Sequence, residues 1–337
     1  MPNISKPLCL CLLMVLFSLS GANNSLNEDI EFTILNEPTE PMQVILPLGQ
    51  LNEPGHQEGS IYTNTTLSAG GSHTCAILEN RNTSCWGAGN NGRLGNGDSW
   101  TQYSPTTIDP QRFGSQKAVA IASGDAHTCV ILDNGLVSCW GGNLEDAAQL
   151  GNSGTTHQNT PTPTSSLGTD RTAVAISAGK EHTCVILDNG SVSCWGIGTS
   201  GVLGNGDSLD RTTPTLTHSL GQNRSAIAIS AGYYHTCIIL DDGRVSCWGS
   251  GSSGRLGNGG EQTKSIPTLT ASLGVDRIAV AISAGGYHTC AILDNGLVSC
   301  WGLGLYGALG TGNYGTGSDE YLPCLLYTSP SPRDKRQ

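Results

Sequence analysis

His127-Thr128-Cys129-Val130-Ile131-Leu132-Asp133-Asn134-Gly135-Leu136-Val137-Ser138-Cys139-Trp140-Gly141 is the stretch that decides the fold, because the chain repeats it. Five times a His-Thr-Cys is followed by a second cysteine ten positions later and then by Trp-Gly. The other copies begin at His73, His182, His235 and His288, in steps of 54, 55, 53 and 53 residues. A fixed period of this size predicts an array of one supersecondary unit. Within the stretch, β-branched runs flank Asp-Asn-Gly, a hairpin signal. A three-residue loop with Gly135 left-handed pairs Leu132 with Leu136. Counting outward from that pair sets Cys129 opposite Cys139, on one face with His127 and Val137; Thr128, Val130 and Trp140 point to the other face.

The same count places each cysteine couple at a non-hydrogen-bonded site, where opposing Cα atoms lie closest. The expected disulfides are Cys75–Cys85, Cys129–Cys139, Cys184–Cys194, Cys237–Cys247 and Cys290–Cys300, each closing a short loop worth about 2–3 kcal/mol. The rival is a metal site made of the histidine and two cysteines. Three ligands with no fourth, five times over in an exported chain, argue against zinc. The recurring histidine reads as a packed, hydrogen-bonded residue rather than a catalyst. The third and fifth copies keep Asp-Asn-Gly and the fourth has Asp241-Asp242-Gly243, whereas Glu79-Asn80-Arg81 in the first lacks a glycine and leaves its turn open.

Past the tryptophan, four copies read Gly-x-Gly-x-x-Gly, from Gly87, Gly196, Gly249 and Gly302. A dinucleotide site needs a helix to start at the third glycine. Leu94-Gly95-Asn96-Gly97 and Leu203-Gly204-Asn205-Gly206 follow instead and cannot open one, so these glycines are expected in tight turns. The second copy departs, with Glu145-Asp146 in a two-residue insertion. No serine elbow, paired-acid constellation or calcium loop stands out, so no catalytic residue, metal or cofactor is predicted.

The bulk numbers agree with many short strands and tight turns: 46 glycines among 337 residues, with 5% aromatic residues. Net charge is −11, and Lys6 with the terminal Arg333, Asp334, Lys335 and Arg336 contributes +3, leaving −14 on 23–323. Such a surface repels phosphate and argues against nucleic acid as a partner. Residues 1–22 read as a secretory signal peptide, with Lys6, an apolar run from Leu8 to Phe17 and Ser20-Gly21-Ala22 before the cut. That run is short for an uncleaved membrane anchor, the alternative. Export implies an oxidising compartment, secreted or at the cell surface. Residues 23–66, acidic and carrying Pro38, Pro41, Pro47 and Pro54, read as a solvated spacer in which Phe32 to Leu35 and Val44 to Leu48 could form short strands.

The frame Ala-Gly-x-x-His-Thr-Cys…Cys-Trp-Gly-x-Gly-x-x-Gly-x-Leu-Gly-Asn-Gly resembles the regulator of chromosome condensation repeat in a cysteine-bearing variant, over 67–323. The resemblance implies an all-β fold, a β-propeller usually of seven blades with four strands each. Families with this fold include a nuclear exchange factor for a small GTPase and a secreted bacterial β-lactamase inhibitor, so the fold alone does not fix the function. Five copies fall short of seven. Each earlier copy has Pro-Thr about twenty residues past its tryptophan, whereas the fifth stops at Pro323 and continues as CLLYTSPSPRD from Cys324. That string resembles the translation of a transposase sequencing adapter, so 324–337 is expected to be a non-native tail and the natural protein to continue past Pro323.

Between the fixed Ala-Gly (Ser-Gly in the second copy) and His-Thr lies a two-residue slot that varies: Gly71-Ser72, Asp125-Ala126, Lys180-Glu181, Tyr233-Tyr234 and Gly286-Tyr287. A constant frame with a variable insert is how a repeat scaffold displays a binding face. Asp125, Lys180, Glu181, Tyr233, Tyr234 and Tyr287 are therefore the candidate binding residues, with Glu145, Asp146 and Tyr306 as weaker ones. The expected function is non-catalytic recognition of an extracellular protein or glycan. The competing function, a regulator that exchanges nucleotide on a small GTPase, is opposed by the leader, the cysteines and the acidity.

Overall fold

The computed structural model describes residues 66–142, 148–313, 315 and 317–326. The leader, the spacer up to residue 65, Glu145 and Asp146, and the tail beyond Leu326 lie outside the described residues. Five four-stranded antiparallel sheets follow one another along the chain, each a simple meander. Blade 1 holds β1 (Leu67–Ala69), β2 (His73–Ile77), β3 (Thr83–Gly87) and β4 (Gln102–Thr107). Blade 2 holds β5 (Ala118–Ser123), β6 (His127–Leu132), β7 (Val137–Gly141) and β8 (Gln158–Pro163). Blade 3 holds β9 (Ala173–Ala178), β10 (His182–Leu187), β11 (Val192–Gly196) and β12 (Arg211–Leu216). Blade 4 holds β13 (Ala226–Ala231), β14 (His235–Leu240), β15 (Val245–Gly249) and β16 (Lys264–Leu269). Blade 5 holds β17 (Ala279–Ala284), β18 (His288–Leu293), β19 (Val298–Gly302) and β20 (Glu320–Leu326).

The quoted hairpin is β6–β7, and its register is the one the turn dictates. Leu132 N–H donates to Leu136 O at 2.8 Å and Gly135 N–H to Leu132 O at 2.8 Å, with Gly135 at φ 76°. Cys129 faces Cys139 with Cα atoms 4.1 Å apart, and all five within-copy disulfides form at that spacing. Non-reducing peptide mapping of the oxidised protein should recover those five links alone; bridges between copies would contradict the register. In the first copy Arg81 takes the left-handed position at φ 60° that glycine holds elsewhere, so the turn forms without glycine at a steric cost. In copies 1, 3, 4 and 5 the glycines past the tryptophan enter a one-turn 3-10 element, Asn90–Gly92 in the first copy, with Gly92 at φ 76°. β20 runs three residues past Pro323, with Cys324 opposite Cys300 where the other blades place a threonine. That position contributes backbone pairing to the outermost strand, which any non-proline residue can supply.

The core lies between blades rather than within them. The face carrying the disulfide and Ile131 meets Ile176, Val185, Leu187 and Trp195 of the next blade, and three further joints repeat the set. Four tryptophans, Trp140, Trp195, Trp248 and Trp301, are fully buried in these joints. Each indole N–H donates to a backbone carbonyl of the preceding blade, Arg93, Gln149, Val202 or Arg255, at 2.8–3.0 Å. The same carbonyls accept from Thr128, Thr183, Thr236 and Thr289 at 3.0–3.2 Å, which uses both lone pairs. Each indole lies against a left-handed glycine of the previous blade: a Cβ on Gly95, Gly151, Gly204 or Gly257 would stand 2.6–2.8 Å from the indole nitrogen.

The repeated histidine closes the joint from the opposite side. His73, His127, His182 and His235 lie 2.7–2.9 Å through Nε2 from Oγ1 of the next blade's His-Thr threonine. Because that hydroxyl already donates its proton to a carbonyl, the imidazole must donate from Nε2, and Nδ1 carries no proton. Nδ1 of His73, His127 and His235 is accordingly buried without a partner. Burial lowers all four pKa values, to about 4 for His73 and His182 and about 3 for His127 and His235, so the rings are neutral at pH 7. Among the described residues no helix is long and apolar enough to cross a membrane.

Candidate binding face

The variable slots occupy the loops from the first strand of each blade to the second. Just before the slot in blades 1 to 4 the fixed glycine touches the neighbouring blade. Gly71 N–H donates to Gly124 O at 3.1 Å, and a Cβ on Gly124 would stand 2.5 Å from Gly179 O and 2.6 Å from His127 Nδ1. No side chain fits there, which explains why the frame is invariant and only the next two positions vary. These glycines, with the alanine or serine before each, surround a hollow of about 280 Å³ to which all five blades contribute. The slot side chains are therefore gathered at one end of the array.

The three slot tyrosines, Tyr233, Tyr234 and Tyr287, form one cluster, joined by Lys180 of blade 3. Tyr233 presents its edge to Tyr234 and Tyr287, with ring centroids 6.4 and 5.7 Å away, and Tyr234 lies 6.2 Å from Tyr287. Lys180 Nζ donates to Tyr234 Oη at 3.1 Å and is 3.6 Å from Glu181. Its hydrogen bond to Tyr234 raises the ammonium pKa further, so the charge is permanent under ordinary conditions. Arg255, buried beneath the face, sets its guanidinium 5.1 Å from the Tyr287 ring centre, a cation–π distance. A second hollow of about 200 Å³, between blades 3 and 4, is lined by Lys180, Glu181, Thr199, Tyr233 and Tyr234.

The cluster thus unites Lys180, Glu181, Tyr233, Tyr234 and Tyr287. Asp125 lines the axial hollow away from it, its carbonyl accepting from Arg93 Nη1 at 3.1 Å. Tyr306 stands apart, 92% exposed on the 3-10 turn Leu305–Gly307. Sequence reasoning missed Arg255 and Arg93. Both precede the fixed Leu-Gly, a position that reads Arg93, Gln149, Val202, Arg255 and Ala308 across the copies. That variability was the available signal: the joint uses only the carbonyl there, which frees the side chain. Chemically the face offers flat aromatic edges, two cations and one carboxylate. The exposed aromatic area suits stacking, and the lysine and glutamate suit directed hydrogen bonds.

Two models of the regulator of chromosome condensation repeat match this chain, one at 118–145, 173–202, 226–255 and 279–308, the other at 85–131, 189–239 and 242–292, together more than half of it. The chain belongs to that repeat family. The ultraviolet-B receptor UVR8 of Arabidopsis thaliana is 30% identical over 77% of this chain and 57% of its own length. The human E3 ubiquitin-protein ligase HERC2 is 30% identical over 67% of this chain and 5% of its own length. The chain thus spans little more than half of the receptor and a small part of the ligase. Among solved structures, Prp20p of Saccharomyces cerevisiae matches with a TM-score of 0.52 and 20% identity, over 78% of this chain and 76% of that one. Human WBSCR16 matches with a TM-score of 0.52 and 17% identity, over 80% and 83%. Both establish the propeller fold. The protein is a repeat-family propeller, a binding scaffold by architecture.

Proposed function

We propose that this propeller is an exported, non-catalytic recognition module that binds an extracellular protein or glycan through the Lys180–Glu181–Tyr233–Tyr234–Tyr287 face. The observation that carries the reading is the clustering of variable slot residues into one partly exposed aromatic and charged surface on an otherwise invariant frame. Five hairpin disulfides and the acidic surface support the extracellular setting and oppose a nucleic-acid partner.

Replacing Tyr233 and Tyr234 together by alanine should weaken capture of the partner by at least about 2 kcal/mol. The half-exposed rings leave the interblade joints intact, so the melting temperature should hardly move. Pull-downs from the surrounding extracellular material, with and without the double substitution, measure the first effect, and thermal melts of the two proteins measure the second. Unchanged capture would place the binding surface elsewhere. Accelerated nucleotide release from a small GTPase would establish the exchange-factor function instead.

A further inference from the structure

In blades 1 to 4 the residue before the fixed Leu-Gly lends its carbonyl to the joint. In two of them its side chain then runs under the slot of the next blade. Arg93 donates from Nε to Asn90 O at 3.0 Å and from Nη1 to Asp125 O at 3.1 Å. Arg255 donates from Nε to Ser252 O at 2.8 Å and sets its guanidinium 5.1 Å from the Tyr287 ring centre. Each guanidinium therefore meets the first carbonyl of the 3-10 turn and then either the backbone or the ring of the following slot. Val202 holds this position in blade 3, and its side chain is too short to reach such groups.

The hollow of about 200 Å³ between blades 3 and 4 lies over buried Val202, where a longer side chain would run. It is lined by the counterparts of the groups that the two arginines use. Thr199 occupies the place of Asn90 and Ser252, on a turn of nearly the same backbone: φ is 62°, 62° and 57° at Asn91, Ser200 and Ser253. Tyr233 occupies the place of Asp125, and Tyr234 that of Tyr287. Glu181 adds a partly exposed carboxylate. Its partner Lys180, 3.6 Å away, is the one cation among the described residues that line the hollow.

We infer that this hollow receives an arginine side chain of a protein partner, which supplies from outside the guanidinium that blades 1 and 4 supply from within. Its N–H groups donate to the Thr199 and Tyr233 carbonyls, its plane lies against the Tyr234 ring, and Glu181 balances its charge. A lysine suits the socket less, because a compact ammonium cannot span two carbonyls and cover a ring at once. The −14 charge of residues 23–323 draws a basic partner towards the protein. The inference rests on the proposed recognition face and narrows its ligand to a protein that presents an exposed arginine.

The test titrates the full chain, disulfides intact, with N-acetylargininamide, N-acetyllysinamide, N-acetylleucinamide and N-acetylglucosamine, following the tyrosine ring signals by NMR. The arginine probe should saturate and bind at least about tenfold tighter than each of the others. Val202→Arg fills the socket with the residue that blades 1 and 4 carry there, so it should melt no lower than the wild type and lose the arginine probe. Glu181→Gln, a surface change that does not depend on how the first variant folds, should weaken the probe about threefold. Equal binding of the leucine probe, saturation by the sugar alone, or arginine binding that neither substitution alters overturns the inference. Partner capture lost in the Tyr233 and Tyr234 double variant yet unchanged in Val202→Arg also overturns it and leaves the recognition face standing. Capture that survives both removes the face as well.

Discussion

Lowering the pH from 7 to 5 should remove several kcal/mol of stability, with the transition set by His73, His127, His182 and His235. In the folded chain these imidazoles have pKa values of about 4, 3, 4 and 3, lowered chiefly by burial; nearby Arg93 adds to the effect at His73 and His127, and Arg255 at His235. The unfolded chain binds the same protons near pH 6.5. Below that pH the unfolded state takes up protons that the folded state refuses, so stability is intact above about 6.5 and falls as pH drops towards the folded values. Each ring contributes up to about 1.4 kcal/mol per pH unit, or about 2 kcal/mol at pH 5. Four such rings approach the whole net stability of an ordinary domain. Urea titrations at pH 7 and pH 5 measure the difference. A stability unchanged between those values would mean that the rings are not held neutral in the joints.

Trp195→Ala should lower stability by about 3–5 kcal/mol, the range for removing a large buried aromatic side chain. The indole is fully buried between blades 2 and 3, packs in the cluster with Leu150 and the Cys129–Cys139 bridge, and donates to Gln149 O at 3.0 Å. Its removal leaves a cavity over Gly151 and a buried carbonyl short of one donor. Trp86→Ala in the same assay should cost about 1 kcal/mol or less, since that ring is only half-buried among the described residues. Equal losses at the two sites would refute the view that the joints, rather than the isolated sheets, hold the array together.

The hairpin was legible in the sequence because everything that sets it is local: a turn of three residues, alternating apolar positions and two cysteines at matched distance from the turn. The opposite orientation of Trp140 and Cys139 followed from the same count, and the two side chains do face different neighbours. The joint was not legible in that way. His127 could be read as a packed, hydrogen-bonded residue, but its partner Thr183 lies 56 positions on and is the second letter of the next copy's own His-Thr. No local pattern distinguishes a threonine that pairs across blades from one chosen for strand propensity. The slot residues were visible as variation within a constant frame, whereas their convergence into one tyrosine cluster depends on how the blades are stacked. Arg255 escaped notice because its backbone serves the joint while its side chain serves the face.

All five disulfides close within a hairpin and none crosses from one blade to the next. Under tension applied to the two ends, the array can therefore come apart blade by blade, since apart from the connecting backbone only non-covalent contacts join neighbours. Each released blade pays out less chain than its sequence length suggests, because the ten-residue step between its cysteines stays locked and withholds about 30 Å of contour. The locked piece carries the histidine, the threonine and the tryptophan at its borders, so the elements that must find a neighbour again remain folded as a unit. A propeller fastened in this way yields extension in short steps and keeps in each freed hairpin the template for snapping back.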